Sequence, residues 1–328
     1  MKHVTLAGEL KEFASAKRLF VVHAAPGWIE KVASGEFDFF TRLAPRLEEE
    51  GVASVTVELG GPLSEAMLGQ NHMHVILGDR PEYSPRVMHV APSYIWGFWY
   101  LDEVGINADS SIRMRSFRPH GVEWEAAEYF FNGVAGWMVE QNVSREPQPD
   151  RDPGALDRAQ SVVFCQDIET RQPRQHYLST EEMIRNAARA AGGGIVYVKP
   201  HPHQDATTRA KIDKLAESDP NIRVSEASVH DLIAASDWVV TQNSAAGFEA
   251  LLQKKRLITC ARSDFHHASL VARSGDELRA HLRSGGGALD GFEYEKYLYW
   301  FLSETCLEPQ SDDFAHRAWA RLIDKFTP

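Results

Sequence analysis

Short apolar runs bounded by Gly, Pro or polar clusters alternate along this chain with stretches whose apolar residues recur at helical spacing. In the first half, Arg18 to Ala24 predicts a buried strand that ends in a turn at Ala25-Pro26-Gly27. Phe37 to Glu50 predicts a helix, with Phe40, Leu43 and Leu47 on one stripe and a stop at Gly51. Val52 to Leu59 predicts a second strand, broken by Gly60-Gly61-Pro62, and His74 to Leu77 and Val87 to Val90 are shorter strand candidates. The second half alternates more strictly. Strands are expected at Ser161–Cys165, Ile195–Val198, Ile222–Val224, Trp238–Thr241 and Arg256–Thr259. Helices are expected from the capping-box sequence Ser179-Thr180-Glu181-Glu182 to Gly192, at Thr207–Glu217, Val229–Ala235 and Ser244–Gln253, and near the C-terminus at Phe292–Thr305 and Phe314–Phe326. Short links between alternating elements imply parallel strands joined by right-handed crossovers.

This order predicts an α/β chain of two Rossmann-like domains facing a cleft, the GT-B arrangement of nucleotide-sugar glycosyltransferases. The polar, proline-rich stretch Ser144 to Ala159 has linker composition. The expected division is therefore residues 1–150, an N-terminal acceptor-side domain, and 151–328, a C-terminal nucleotide-sugar-binding domain with C-terminal helices. The aromatics Trp96, Trp99, Tyr100 and Trp124 either pack between elements or form a wall on which an acceptor sugar stacks.

Composition changes this picture little. A chain of 328 residues with 43% hydrophobic and 25% charged residues can build cores of ordinary size. A net charge of −11 argues against nucleic acid as a partner. The three cysteines, Cys165, Cys260 and Cys306, form neither a disulfide framework nor a zinc spacing. His23 and the pair His266-His267 lack a metal-ligand pattern, so no metal is expected. No apolar run approaches the length of a transmembrane span, and the cytoplasm is the expected compartment, with attachment to the inner face of a membrane through a partner left open.

The chemistry concentrates where expected strands end. Lys199-Pro200-His201-Pro202 is a stiff loop, because two prolines fix φ and remove two donors. It holds His201 in place to donate to a phosphate oxygen, and Lys199 adds positive charge. Gln242-Asn243-Ser244-Ala245-Ala246-Gly247 opens a helix. Ser244 is a good N-cap, and Ala245, Ala246 and Gly247 leave the first turn open for an anion to approach. Glu249 interrupts an otherwise apolar helix. It either accepts from two ribose hydroxyls or pairs with Lys254 or Arg256. Gln166 and Asn243 stand at the same strand ends and count with the nucleotide site. Asp167 and Glu169 follow Gln166, and either carboxylate can serve glycosyl transfer as nucleophile or base; otherwise they bind Arg171 or Arg174.

With these residues in hand, roughly residues 160–280 resemble the capsule polysaccharide biosynthesis family, which includes bacterial β-Kdo transferases. The matching features are the strand ending in Gln166, the helix after Ser179, Val198-Lys-Pro-His-Pro202, and Leu232 to Leu251 with its Ser-x-x-Gly-x-Glu-Ala-Leu run. Asp264-Phe-His-His-Ala268 falls where the family has an aromatic/His stretch. The resemblance implies a CMP-sugar donor, CMP-Kdo in particular, as substrate and no further cofactor. It implies that His201 and Ser244 bind the donor phosphate, that Glu249 binds the ribose, and that transfer is retaining through an aspartate in the loop after Gln166. The family's Asp stands a few residues after the Gln, where this chain has Glu169 and Thr170; Asp167 comes earlier. The implied function is capsule biosynthesis, with an acidic sugar moved to a polysaccharide or glycolipid acceptor. The alternatives are a polyol-phosphate transferase of CDP-glycerol type and a non-catalytic nucleotide-binding member.

Overall fold

The structure, a computed structural model, describes residues 1–80, 82, 84–285 and 287–326. The chain forms two compact α/β units. One comprises residues 1–93, 97–112 and 301–328, the other residues 94–96 and 113–300.

The first unit is built on a six-stranded sheet of β1 (Lys2–His3), β2 (Arg18–Ala24), β3 (Val52–Glu58), β4 (Met73–Leu77), β5 (Val87–Pro92) and β6 (Trp99–Asp102), in spatial order β1-β3-β2-β4-β5-β6. All neighbours are parallel except β5 and β6. The helix Asp38–Glu49 forms despite Pro45, because its buried stripe of Phe39, Phe40, Leu43 and Leu47 packs on the sheet with Val22, Val75 and Trp99. The expected turn at Ala25-Pro26-Gly27 instead opens a helix, Pro26–Ser34. Proline at the first helical position gives up a donor that has no intrahelical partner there anyway.

The second unit holds β7 (Ala159–Phe164), β8 (Val196–Lys199), β9 (Ile222–Val224), β10 (Ser236–Thr241), β11 (Arg256–Thr259) and β12 (Leu270–Val271), all parallel, in order β12-β11-β10-β7-β8-β9. The helix Thr180–Ala191 has the expected capping box, with Ser179 and Glu182 satisfying each other's backbone donors, and it stops at Gly192 with φ of 58°. Winding runs outward from β7 through β8 to β9, then returns to β10 on the other side of β7. The order reverses between β7 and β10, the position at which open α/β sheets bind ligands. Both units thus have the expected Rossmann-like winding.

The expected boundary at residues 150/151 is corrected. The helix Phe314–Phe326 belongs to the first unit, where Phe314, Ala318, Leu322 and Phe326 join the core of Phe20, Val22 and Phe39. Residues 113–150 belong to the second unit. There the segment expected to be a linker is a bonded strap. Just before it, Asn142 Oδ1 accepts from Ser228 Oγ at 2.6 Å; within it, Arg151 pairs with the buried Asp231 at 2.7 Å, and Gln148 Oε1 accepts from the Val229 N–H at 3.0 Å. Composition cannot reveal these partners, because they lie about eighty residues away in sequence. Of the aromatics, Trp99 and Tyr100 are buried in the first unit, whereas Trp96 and Trp124 are partly exposed.

A buried polar chain runs under the first sheet. His74 Nε2 meets the Gln70 carbonyl at 3.2 Å, so it must donate. His74 Nδ1 therefore accepts from His23 Nε2 at 3.0 Å, and His23 Nδ1 accepts from Ser64 Oγ at 2.8 Å. A proton added to His74 would set its Nδ1–H against the His23 Nε2–H, whereas one added to His23 would require the Ser64 hydroxyl to turn and accept. Burial holds His23 down to about 3 and His74 and His89 to about 4. In the unfolded chain these rings take a proton near pH 6.5, while the folded chain refuses it until pH 3–4. The unfolded state binds more protons in that window, so stability falls as pH drops from about 6.5 toward 4. His89 Nε2 accepts from the Glu82 N–H at 3.0 Å, a bond that a glutamine oxygen can replace. His89→Gln is expected to reduce the slope of unfolding free energy against pH by up to about 1.4 kcal/mol per pH unit in that window. Denaturant titrations from pH 4.5 to 7 measure it, and equal slopes in parent and variant would refute it.

Candidate functional site

The C-terminal ends of β7, β8, β10 and β11 carry the polar residues singled out by the sequence, all within the second unit. At the reversal between β7 and β10, the Asn243 N–H donates to Gln166 Oε1 at 2.8 Å, tying the loop after β7 to the loop after β10. Asn243 Nδ2 then donates to the Arg262 carbonyl at 2.8 Å, which adds the loop after β11. Gln166 and Asn243 thus join three loops, and an antiparallel bridge between His176 and Ala261 also ties the loop after β7 to the loop after β11.

His201 stands half-buried just past β8. Its Nδ1 accepts from the His203 N–H at 3.2 Å. The neutral ring therefore carries its proton on Nε2, which has no partner among the described residues and is not a sealed atom. His201 thus presents a donor to the outside. Burial holds it below its ordinary pKa, with Glu146 and Asp167 opposing that shift. His203, next in the loop, is exposed.

Ser244 caps the helix Ala245–Ala250, its Oγ accepting from the Ala246 N–H at 3.3 Å. Ser244 and Ala245 are partly exposed, whereas Ala246 is buried. The expectation that Gly247 keeps the helix mouth open for a ligand is corrected, because Gly247 faces the sheet. A Cβ there would lie 2.7 Å from Thr241 Cγ2 and 3.4 Å from Leu257 Cδ1. The glycine permits close approach of helix to strand, a tertiary demand that local sequence does not distinguish from a ligand's.

Two other expected groups are committed elsewhere. The Lys199 ammonium donates to the carbonyls of Glu226 at 3.1 Å and Ala227 at 2.8 Å, so it secures the chain after β9 rather than presenting charge to a ligand. Burial lowers its pKa. Glu169 Oε1 accepts from the Thr180 N–H at 2.6 Å and from Gln242 Nε2 at 3.4 Å, which fastens the start of the helix Thr180–Ala191. A carboxylate stabilised by a helix N-terminus and an amide is a weakened nucleophile. Asp167 is exposed and has no hydrogen-bond partner among the described residues.

Glu249 is fully buried. Its Oε1 accepts from Ser144 Oγ at 2.9 Å and from the Arg145 N–H at 3.3 Å, while Oε2 has no hydrogen-bond partner among the described residues. It pairs with neither Lys254 nor Arg256; Lys254 bonds Glu295, and Arg256 bonds Asp290. Burial pushes its pKa up to about 7 against the opposing effect of Ser144 and Arg145. Ser144 and Arg145 were not foreseen as its partners. Only an acidic residue inside an apolar helix, which needs a distant donor, hinted at them.

Gly247→Ala is expected to lower stability by about 1–3 kcal/mol through overpacking against Thr241, whose Oγ1 is already held by the Phe164 carbonyl at 3.0 Å. The measurement is the denaturation midpoint of the variant. An unchanged midpoint would mean that the helix can lift off the sheet freely.

Similarity to known proteins agrees with this region. The family described as "Capsule polysaccharide biosynthesis protein" matches residues 168–277. Protein FixF of Sinorhizobium fredii is 25% identical over 283 residues, covering 83% of this chain and 65% of its own length, so this chain spans somewhat less than two thirds of that relative. Among solved structures, the β-Kdo 2,7 transferase KpsC of Thermosulfurimonas dismutans superposes with a TM-score of 0.51 at 14% identity, covering 82% of this chain and 90% of that one. The β-Kdo 2,4 transferase of the same protein superposes with a TM-score of 0.50 at 15% identity, covering 81% and 89%. Over residues 168–277, then, the chain matches the capsule polysaccharide biosynthesis family, and its fold is similar to that of the two β-Kdo transferase structures.

Proposed function

We propose that this chain is a glycosyltransferase of capsule biosynthesis that moves an acidic, Kdo-like sugar from a CMP-activated donor to a polysaccharide or glycolipid acceptor. The observation that carries the reading is the set of uncommitted groups at the β7/β10 reversal. These are the outward Nε2–H of His201, the capped helix mouth at Ser244, and the unsatisfied Oε2 of Glu249. Together they suit the phosphate and the ribose of a nucleotide-sugar. His201 and Ser244 donate to phosphate oxygens. Glu249 accepts from the ribose hydroxyls, once Ser144 and Arg145 yield or share its oxygens. Gln166 and Asn243 position the two loops, and the family match supports the capsular setting.

The sugar then lies against the loop after β7. Of its two carboxylates, Asp167 is the one left free to act, while Glu169 is occupied at the helix start. In a retaining route, Asp167 displaces the nucleotide and the acceptor hydroxyl displaces Asp167, two inversions that restore the anomeric configuration. No helix among the described residues is long and apolar enough to cross a membrane, so a cytoplasmic enzyme attached peripherally to the inner membrane face or to capsule-assembly proteins is the associated proposal. The first unit is the proposed acceptor side.

His201→Ala is expected to weaken binding of the preferred nucleotide about 10- to 100-fold, the value of a lost charge-assisted contact of roughly 1.5–3 kcal/mol. Calorimetric titration with CMP, CDP and UDP tests both the donor and the residue. Preference for CDP would favour a polyol-phosphate transferase, and undiminished affinity in the variant would place the site elsewhere. Asp167→Asn should abolish sugar transfer while sparing nucleotide affinity. Glu169→Gln should lower thermal stability and retain part of the activity. Full activity in Asp167→Asn would eliminate the double displacement.

A further inference from the structure

The loop after β11 holds a second histidine whose environment mirrors that of His201. His266 Nδ1 lies 3.1 Å from the Ser263 carbonyl, and a carbonyl only accepts, so the ring must donate there. The neutral ring then carries its lone pair on Nε2. That atom has no partner among the described residues and is not sealed from solvent. His201 and His266 are therefore fixed as opposite tautomers, one offering a proton outward and the other a lone pair.

The support around His266 is rigid. His267 packs against it with ring centres 4.0 Å apart and planes tilted by 31°, and His267 Nε2 donates to the Arg115 carbonyl at 2.8 Å. Phe265, one residue earlier, is buried against Tyr94 and Phe248, and Asp264 accepts from the Tyr94 hydroxyl at 2.8 Å. The loop is also tied to the helix mouth through Asn243 and Arg262. Strand order places β8 and β11 on either side of the β7/β10 pair, roughly 14 Å apart at the sheet. The two histidines thus flank the reversal from opposite sides.

We propose that His266 is the general base that deprotonates the acceptor hydroxyl in the transfer reaction. The assignment rests on the glycosyl-transfer reading above and adds to it the residue facing the acceptor. The acceptor oxygen forms its bond to the anomeric carbon as its proton passes to His266 Nε2. The bond from that carbon to its leaving oxygen breaks, and the electron pair departs with the leaving oxygen. The imidazolium returns its proton to solvent. Burial, joined by Arg113 and Arg273 and opposed by the Ser263 carbonyl, keeps the ring below its ordinary pKa, so it is neutral at pH 7 and ready to accept.

The test combines a tautomer measurement with a rescue experiment. Nitrogen-15 NMR of the imidazoles in the intact chain should show the Nδ1–H form at His266 and the Nε2–H form at His201. His266→Ala should bind CMP within about twofold of the parent. It should transfer Kdo from CMP-Kdo to acceptor about 10²- to 10⁴-fold more slowly, the usual contribution of a general base, and added imidazole should restore part of the rate. An Nε2–H tautomer at His266, an undiminished transfer rate, or a loss that imidazole does not restore would each overturn the assignment. If the parent binds no cytidine nucleotide, the donor-site reading fails and this assignment falls with it. If the parent binds CMP and only the variant's rescue fails, the donor site stands and the base alone is refuted.

Discussion

The bond from the Asn243 N–H to Gln166 Oε1 is the constraint on which the rest of the site depends. In a doubly wound sheet the chain leaves the central strand in both directions, and the loops on the two sides of the reversal must be tied by contacts outside the sheet. Here one glutamine oxygen fastens the loops after β7 and β10, and Asn243 extends the link to Arg262 after β11. The positions of Ser244, Asp167 and His266 follow from that connection, since each lies within a few residues of one of the joined points.

The chemistry of the site is decided by which polar groups the fold has already used. Lys199 and Glu169 are reactive residues at strand ends, but backbone carbonyls and a helix start occupy them. A buried polar group must be satisfied, so most attractive side chains near a sheet edge are consumed in this way. What remains is a short set: one imidazole donor, one imidazole lone pair, one exposed carboxylate and one half-satisfied buried carboxylate. In the proposed reaction that set would serve a phosphate, a hydroxyl, an anomeric carbon and a diol in turn. The first unit shows the opposite outcome. Its Ser64–His23–His74 chain looks reactive as a list of residues, yet it is buried and its hydrogen bonds tie β2 and β4 to the helix Pro62–Leu68.

Much of the fold was legible in the sequence. Alternating runs of Val, Ile and Leu with helical stripes located β2, β3 and β7 to β11, because a strand buried on both faces must be apolar throughout. The capping box at Ser179 and the stop at Gly192 located a helix to within a residue, since those signals are local. Strand-end position and the bracketing prolines pointed to His201, and strand-end position with the family resemblance pointed to the loop after Gln166. Local sequence could not show that Gly247 serves the sheet, that Glu249 meets Ser144, that the Pro-rich stretch is fastened to Asp231, or that the last helix returns to the first core. Each of those facts depends on a partner tens to hundreds of residues away. The sequence by itself determined the elements, their winding and the residues available for chemistry, because periodicity and caps act over a few residues. Tertiary structure alone decided which of those residues are left free, because a hydrogen bond between distant loops leaves no trace in the spacing of either one.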